Sequence, residues 1–394
     1  MKIGYCSDNY ATRRNIICKV RHYDYRKVYN DRFLFISYFN KVSNKLFKKP
    51  IFNLTDSAYK FNNYRFLFNI DLIHLFNTIS NSKKNWIVTF ETVLPRNIIS
   101  HKLLNQGSLN CLSLEEQKAV RKELYALTKN SCKKLISLSN CNLKMQKDIL
   151  KHFPEYSSKI LPKLTCLHPP QKVIVENWVD KNITLDQTIN FIFVGGLFFI
   201  KGGKEVLEVF TELKQCKNVD IKLTIISSLT TDDYFTKTTE VDKQEALSII
   251  KSNSDWIDFY DYLPNAIVLN KMKEAHVGLL PTFADTYGYV VLELQACGCP
   301  VITTNVRALP EINNEKKGWL INLPINQFGL IDSSTEALIQ TKKQIKLELK
   351  NIVKEIIDDK NLIINKANSS IDNVRVNHSP ELFGKKLKKI YESI

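Results

Sequence analysis

Glycine and proline are scarce in this chain, at 12 each among 394 residues. That scarcity excludes a collagen-like repeat and any long flexible linker. No apolar run reaches the roughly 18–20 residues that span a bilayer as a helix. The nine cysteines are odd in number and scattered, without paired metal-ligand spacing. They read as free thiols of a reducing compartment, and no metal site is expected. Neither half shows Gly-x-Gly-x-x-Gly after its first strand, which argues against a dinucleotide oxidoreductase. The opening MKIGYC-Ser7-Asp8 reads as a first strand and turn rather than a secretory signal. Acidic residues are few in the first half. Residues 1–180 hold 30 Lys/Arg against 13 Asp/Glu, whereas residues 181–394 hold 26 against 27. The excess of +16 therefore sits in one half, which points to an anionic surface met by one domain only.

What is present is strand-then-helix alternation, the mark of α/β domains with mostly parallel sheets. Expected strands in the first half are Lys2–Cys6, Phe33–Ser37, Leu72–Phe76, Trp86–Phe90 and Lys134–Ser137. A helix over Ser113–Asn130 opens with the capping pattern Ser113-x-x-Glu116. A second helix follows Asn140, and the polar stretch 171–188 reads as a linker. In the second half, strands are expected at Ile189–Val194, Val219–Ile226 and Trp256–Tyr260, with helices at Gly203–Cys216, near Lys243–Lys251 and at Ala266–Glu274. The helix from Gly203 turns Val206, Leu207, Phe210 and Leu213 to one face and Glu205, Glu208 and Glu212 to the other. Residues 1–180 and 181–375 read as two domains, and 376–394 as a basic amphipathic terminal helix.

Residues 278–304 carry the densest chemistry. The apolar run Gly278–Pro281 reads as a buried strand, followed by the polar loop Thr282–Thr286. Tyr287-Gly288 opens a helix, and Cys299-Pro300-Val301-Ile302 begins the next strand. A helix start offers unpartnered N–H groups and a positive dipole end to an anion, and Gly288 lets a ligand approach the backbone. Asp285 and Glu293 bracket that seat with acceptors for sugar hydroxyls. Upstream, Gly195-Gly196 ends a strand, and Lys201-Gly202 stands at the mouth of the next helix. A lysine there can neutralise a diphosphate. Cys297 and Cys299, at a helix end, read as small buried residues rather than metal ligands.

Taken together, Gly195, Lys201-Gly202, Asp285 to Glu293 with Tyr287-Gly288, Gly298-Cys299-Pro300-Val301 and Pro310-Glu311 resemble the motifs of the retaining glycosyltransferases of family 4. The resemblance covers residues 189–320 and is only architectural before them. It implies the GT-B fold: two Rossmann-like domains facing a central cleft, with the terminal helix crossing back to the first. It also implies a retaining transferase that moves a sugar from a nucleotide-sugar to a glycan or lipid-linked acceptor in cell-surface polysaccharide or lipopolysaccharide synthesis. Donor contacts would come from Gly195, Gly196, Lys201, Thr286, Tyr287, Gly288, Tyr289 and Glu293. Glu293 would bind ribose hydroxyls, Asp285 would contact the transferred sugar and the diphosphate, and Lys201 would stabilise the leaving diphosphate with no metal or other cofactor.

Three positions depart from the family pattern, two of them in the second half: Gly196 replaces an arginine, and Asp285 replaces a longer glutamate. On the acceptor side, Glu91 stands where relatives carry a histidine, with Arg96 and His101 in the following segment. Glu91 is a candidate base or hydroxyl ligand. The segment 38–49 sets Phe39, Val42 and Leu46 beside Lys41, Lys45 and Lys48, a pattern that suits an anionic membrane surface or a packed helix with a solvated basic side. A cytoplasmic protein is expected, with peripheral attachment to the inner face of the membrane left open. Two other readings stand beside the transferase. One is a basic nucleic-acid-binding protein, disfavoured because no recognisable reading motif is present. The other is a GT-B sugar epimerase or phosphorylase.

Overall fold

The structure is a computed structural model that describes residues 1–49, 51, 58–63, 69–186, 188–215, 219–233 and 235–394. The expected helix end at Cys216 lies outside the described residues. The chain divides into two compact units, residues 1–170 with 380–394, and residues 171–379. Residues 171–180 thus fall in the second unit. The N–H groups of Ile174 and Val175 donate to Ala296 O at 2.9 and 3.1 Å. Trp178 N donates to Asn368 at 2.9 Å, and Lys181 Nζ donates to Cys297 O at 2.9 Å.

In the first unit the strands are β1 (Lys2–Tyr5), β2 (Asp24–Lys27), β3 (Lys60–Phe61), β4 (Leu72–Phe76), β5 (Ile79–Ser80), β6 (Trp86–Phe90), β7 (Cys132–Ser137) and β8 (Leu164–Cys166). Six of them form one parallel sheet in the order β2-β1-β4-β6-β7-β8, and β3 pairs with β5. The strand order reverses direction between β1 and β4. The capping box at Ser113 forms: Glu116 N donates to the serine at 3.1 Å and Ser113 N to the glutamate at 2.8 Å. Helix Pro380–Glu392 lays Phe383, Leu387 and Tyr391 against Ile3, Leu72, Ile87 and Ile136 of the sheet. Beneath it, His74 on β4 bonds Tyr391 Oη and Thr89 Oγ1, each at 2.8 Å. Burial drives the pKa of that imidazole down to about 3, so it is neutral.

The second unit holds β9 (Ile189–Val194), β10 (Ile221–Ile226), β11 (Ile257–Tyr260), β12 (Val277–Leu280), β13 (Val301–Thr304) and β14 (Gly318–Ile321). All pair in parallel in the order β11-β10-β9-β12-β13-β14. This is the doubly wound order, whose switch point lies between β9 and β12. Ligands of open α/β sheets bind outside the carboxyl ends of the strands at such a point.

Two expectations are corrected. Phe33–Ser37 is not a strand but part of helix Asp31–Phe47, whose N-cap Asn30 accepts from Phe33 N at 3.4 Å. The run of Phe, Ile and Tyr carries strand propensity, yet no sheet edge takes it. Glu205 does not face solvent. It is 4% exposed, because helix Thr335–Asp358 packs along the side of helix Gly203–Gln215 that looked free. Glu208 and Glu212 meet that helix through ion pairs to Lys346 (2.9 Å) and Lys350.

Candidate functional site

The two loops at the β9/β12 switch point are laced together. Phe283 N donates to Ile200 O at 2.9 Å, and Thr282 Oγ1 to the same oxygen at 3.1 Å. Gly202 has φ +82°, and a Cβ there would lie 2.2 Å from Pro281 O, so only glycine allows the approach. Ser227 Oγ donates to Gly195 O, and Ser228 Oγ to Gly196 O at 2.6 Å, fixing the turn after β9. These serines were missed in the sequence, although two hydroxyls directly after a neighbouring strand end were a readable signal.

The lacing brings Lys201 to Asp285. Lys201 Nζ lies 2.5 Å from Asp285 Oδ2 and 3.1 Å from Ala284 O. The other carboxylate oxygen accepts from Tyr287 N at 2.9 Å and Gly288 N at 2.7 Å. Burial opposes ionisation of Asp285, but the Lys201 charge and these hydrogen bonds outweigh it and hold the carboxyl below its ordinary range. In the structure the N–H groups of Tyr287 and Gly288 therefore serve Asp285 rather than an open anion seat. An aspartate is short enough to fold back onto the backbone two and three residues on, as in Asx turns. Gly288 caps helix Tyr289–Ala296 at φ +86°, where a Cβ would strike Leu309 at 2.4 Å.

Glu293 is half-buried on that helix, five residues beyond its cap, while Thr286 and Tyr289 are half-exposed. Gly196 faces open space, since nothing lies within 4 Å of a Cβ built there. Gly195, Lys201, Asp285 and Gly288 are thus gathered at one switch point. Cys297 and Cys299 are fully buried, and burial pushes their thiols up to about 12 and about 11, so both stay protonated. Among the described residues, no group of three or more His, Cys, Asp and Glu side chains is placed to hold a metal ion.

The first unit has a cavity of about 440 Å³ at its own switch point, beyond the ends of β1 and β4. Cys6, Asn9, His74, Asn77, Glu91 and Arg96 are among its lining residues. Glu91 Oε1 pairs with Arg96 and accepts from Asn77 Nδ2 at 3.2 Å, and Arg96 lies over the Tyr59 ring at 5.3 Å. Helix Asn140–Lys151 holds this loop. Asn142 donates to Glu91 O at 2.7 Å, while Gln146 accepts from Leu94 N at 2.6 Å and donates to Leu94 O at 2.9 Å. Asn77, Tyr59, Asn142 and Gln146 went unread in the sequence, because each acts from another element. His101 sits on helix Ile98–Gln106 and is not among the lining residues.

Residues 175–351 match the model of the family described as Glycosyl transferases group 1. The second unit is similar in sequence to the group 1 glycosyltransferases. A D-inositol 3-phosphate glycosyltransferase of Pseudarthrobacter chlorophenolicus is 27% identical over 140 residues, 34% of this chain and 31% of that one. The capsular polysaccharide biosynthesis glycosyltransferase CapM of Staphylococcus aureus is 30% identical over 159 residues, 38% of this chain. The chain thus spans 31% and 37% of the length of these curated relatives. The solved structure of HepE from Anabaena in complex with UDP covers all of both chains at a TM-score of 0.60 and 12% identity, a likeness of fold alone. The fold is GT-B.

Proposed function

We propose that the chain transfers a sugar from a nucleotide-sugar, with retention of anomeric configuration, to an acceptor of surface-polysaccharide synthesis. The observation that carries this reading is the Lys201–Asp285 pair at the β9/β12 switch point, inside the stretch that matches the group 1 family. The donor would lie across the ends of β9 and β12. Lys201 has three N–H donors; two engage Asp285 and Ala284 O, and a third is available to a phosphate oxygen. As the bond from the anomeric carbon to the diphosphate breaks, negative charge grows on the departing oxygen beside that ammonium, which requires no metal ion. The acceptor hydroxyl forms the new bond on the same face and gives its proton to the leaving phosphate oxygen. Asp285 holds Lys201 and the helix start in place, and Glu293 binds the ribose hydroxyls. Glu91 with Arg96 holds the acceptor in the cavity of the first unit. The capsular relative and the UDP-bound HepE structure support the polysaccharide and nucleotide-sugar parts of this reading.

The test is calorimetric titration with UDP-, GDP-, ADP- and TDP-sugars, followed by transfer assays on Glu293→Ala and Lys201→Ala. One donor should bind, both variants should lose most of their turnover, and NMR should show the product's anomeric configuration unchanged. Absence of binding by all four donors, or full turnover in both variants, would overturn the assignment. Sugar released without an acceptor product would point to an epimerase or phosphorylase.

A further inference from the structure

Helix Asp31–Phe47 is turned inside out. The side chains it buries are Asn40 and Ser43, while Leu34, Phe35, Tyr38, Phe39, Val42 and Leu46 are 39–68% exposed. At 3.6 residues per turn those six fall within an arc of about 140°, with Asn40 opposite it and Ser43 outside its edge. Lys41 lies just outside one edge of the arc and Lys45 just inside it, with Arg32 beyond the other edge, all exposed. Asp31 is the only acidic residue of the helix, and Lys48 and Lys49 follow it. The unit that carries the helix holds 33 Lys/Arg against 13 Asp/Glu. Isolated apolar side chains on a surface are ordinary, but a contiguous aromatic and aliphatic face rimmed by cations is not. Among the described residues no helix is long and apolar enough to cross a membrane.

We infer that the first unit docks on an anionic lipid bilayer through this face, the helix lying in the plane of the headgroups with its phenylalanines and leucines in the acyl boundary. The pattern is that of an interfacial helix: an apolar arc immersed, lysines at its margin reaching lipid phosphates. The charge argues for lipid over a second copy of this chain, because two such faces would bring like-charged rims together. The helix also leads to the cavity described above, whose lining includes its N-cap Asn30 and its first-turn Phe33. A lipid-linked acceptor in that bilayer would meet the Glu91–Arg96 cavity at the docked end. Only this route rests on the proposed sugar transfer; docking does not require turnover.

The experiment is co-sedimentation of the full chain with vesicles of phosphatidylcholine alone and of a phosphatidylcholine–phosphatidylglycerol mixture, at low and high salt. Binding is expected to the mixed vesicles only, weakening as salt screens the rim. Lys41→Ala with Lys45→Ala should lower the partition coefficient by about 25-fold, fivefold per lysine. Phe35→Ser with Leu46→Ser should lower it by about tenfold or more, with melting unchanged because both side chains are exposed. Equal binding to both vesicle types, no binding, or variants that partition like the parent would overturn the inference. So would a dimer in sedimentation equilibrium that the Phe35→Ser, Leu46→Ser variant dissociates, which would assign the face to a second copy.

Discussion

Replacing Lys201 by methionine leaves Asp285 as a carboxylate without its cation, in a loop where the two side chains are only 17% and 13% exposed. Removing one partner of a buried ion pair costs about 3–5 kcal/mol, and the residual solvent contact here argues for the lower end, ~3 kcal/mol. Adding Asp285→Asn removes the stranded charge, while the amide oxygen can still accept from Tyr287 N and Gly288 N. The double variant should therefore recover all but ~1 kcal/mol, about 2 kcal/mol more stable than the single variant, as expected for non-additive neighbours. In a unit of this size 1 kcal/mol moves the midpoint by about 2–4 °C, so Lys201→Met should melt ~6–12 °C below the parent. Trp178, Trp256 and Trp319 all lie in the second unit and Trp86 alone in the first, so intrinsic fluorescence during a thermal ramp reports the correct unit. Transfer should stay low in both the single and the double variant, because neither restores the ammonium. A single variant that melts within a degree of the parent, or a double variant no more stable than the single, would refute the reasoning.

Two pH effects follow from buried groups outside the β9/β12 switch-point loops. His74 stays neutral in the folded state down to about pH 3, whereas an unfolded histidine takes its proton near 6.5. The stability it contributes is therefore full above that value and declines as pH falls, by ~2 kcal/mol between pH 6.5 and 5. Urea midpoints at pH 7 and 5 should show this loss in the parent, and a smaller loss in His74→Gln. Glu205 runs the other way. Burial raises its pKa to about 7, with the Lys342 and Lys346 charges opposing the rise, and one carboxyl oxygen has no hydrogen-bond partner. Its contribution is full below about pH 4.5 and is lost by pH 7, roughly 3 kcal/mol in all. Glu205→Gln should flatten that slope and melt higher than the parent at pH 8; an unchanged slope would refute the assignment.

The loops at the β9/β12 switch point were legible because their signals are local. Strand ends, glycines at left-handed turns and a carboxylate within three residues of a helix start all sit within short stretches, and Ile189–Val194 has the ends expected of it. Other features depended on partners far along the chain. Glu205 read as solvated because the helix that covers it begins 130 residues later. Phe33–Ser37 read as a strand because a run of large apolar residues normally means burial, and here it means exposure. Strand β2, with the sequence DYRK, has no apolar pattern at all; it exists because β1 offers it an edge. The surroundings of Glu91 stayed obscure for the same reason, since Asn77 reaches that loop from the end of β4 and Asn142 and Gln146 reach it from helix Asn140–Lys151.

The helix Pro380–Glu392 bears on the order in which the protein can be made. It supplies Phe383, Leu387 and Tyr391 to the core of the first unit, and Tyr391 is one of the two hydroxyls that satisfy His74. During synthesis the sheet of residues 1–170 leaves the ribosome with that face bare and the imidazole short of a partner. It must wait for the whole second unit to be translated before it can close. A nascent chain stalled after Ile321 but before Pro380 would thus present a complete sheet in the second unit and an unfinished core in the first. Quality control acting on exposed apolar surface would see the older half of the protein, not the newer, as the unfinished part.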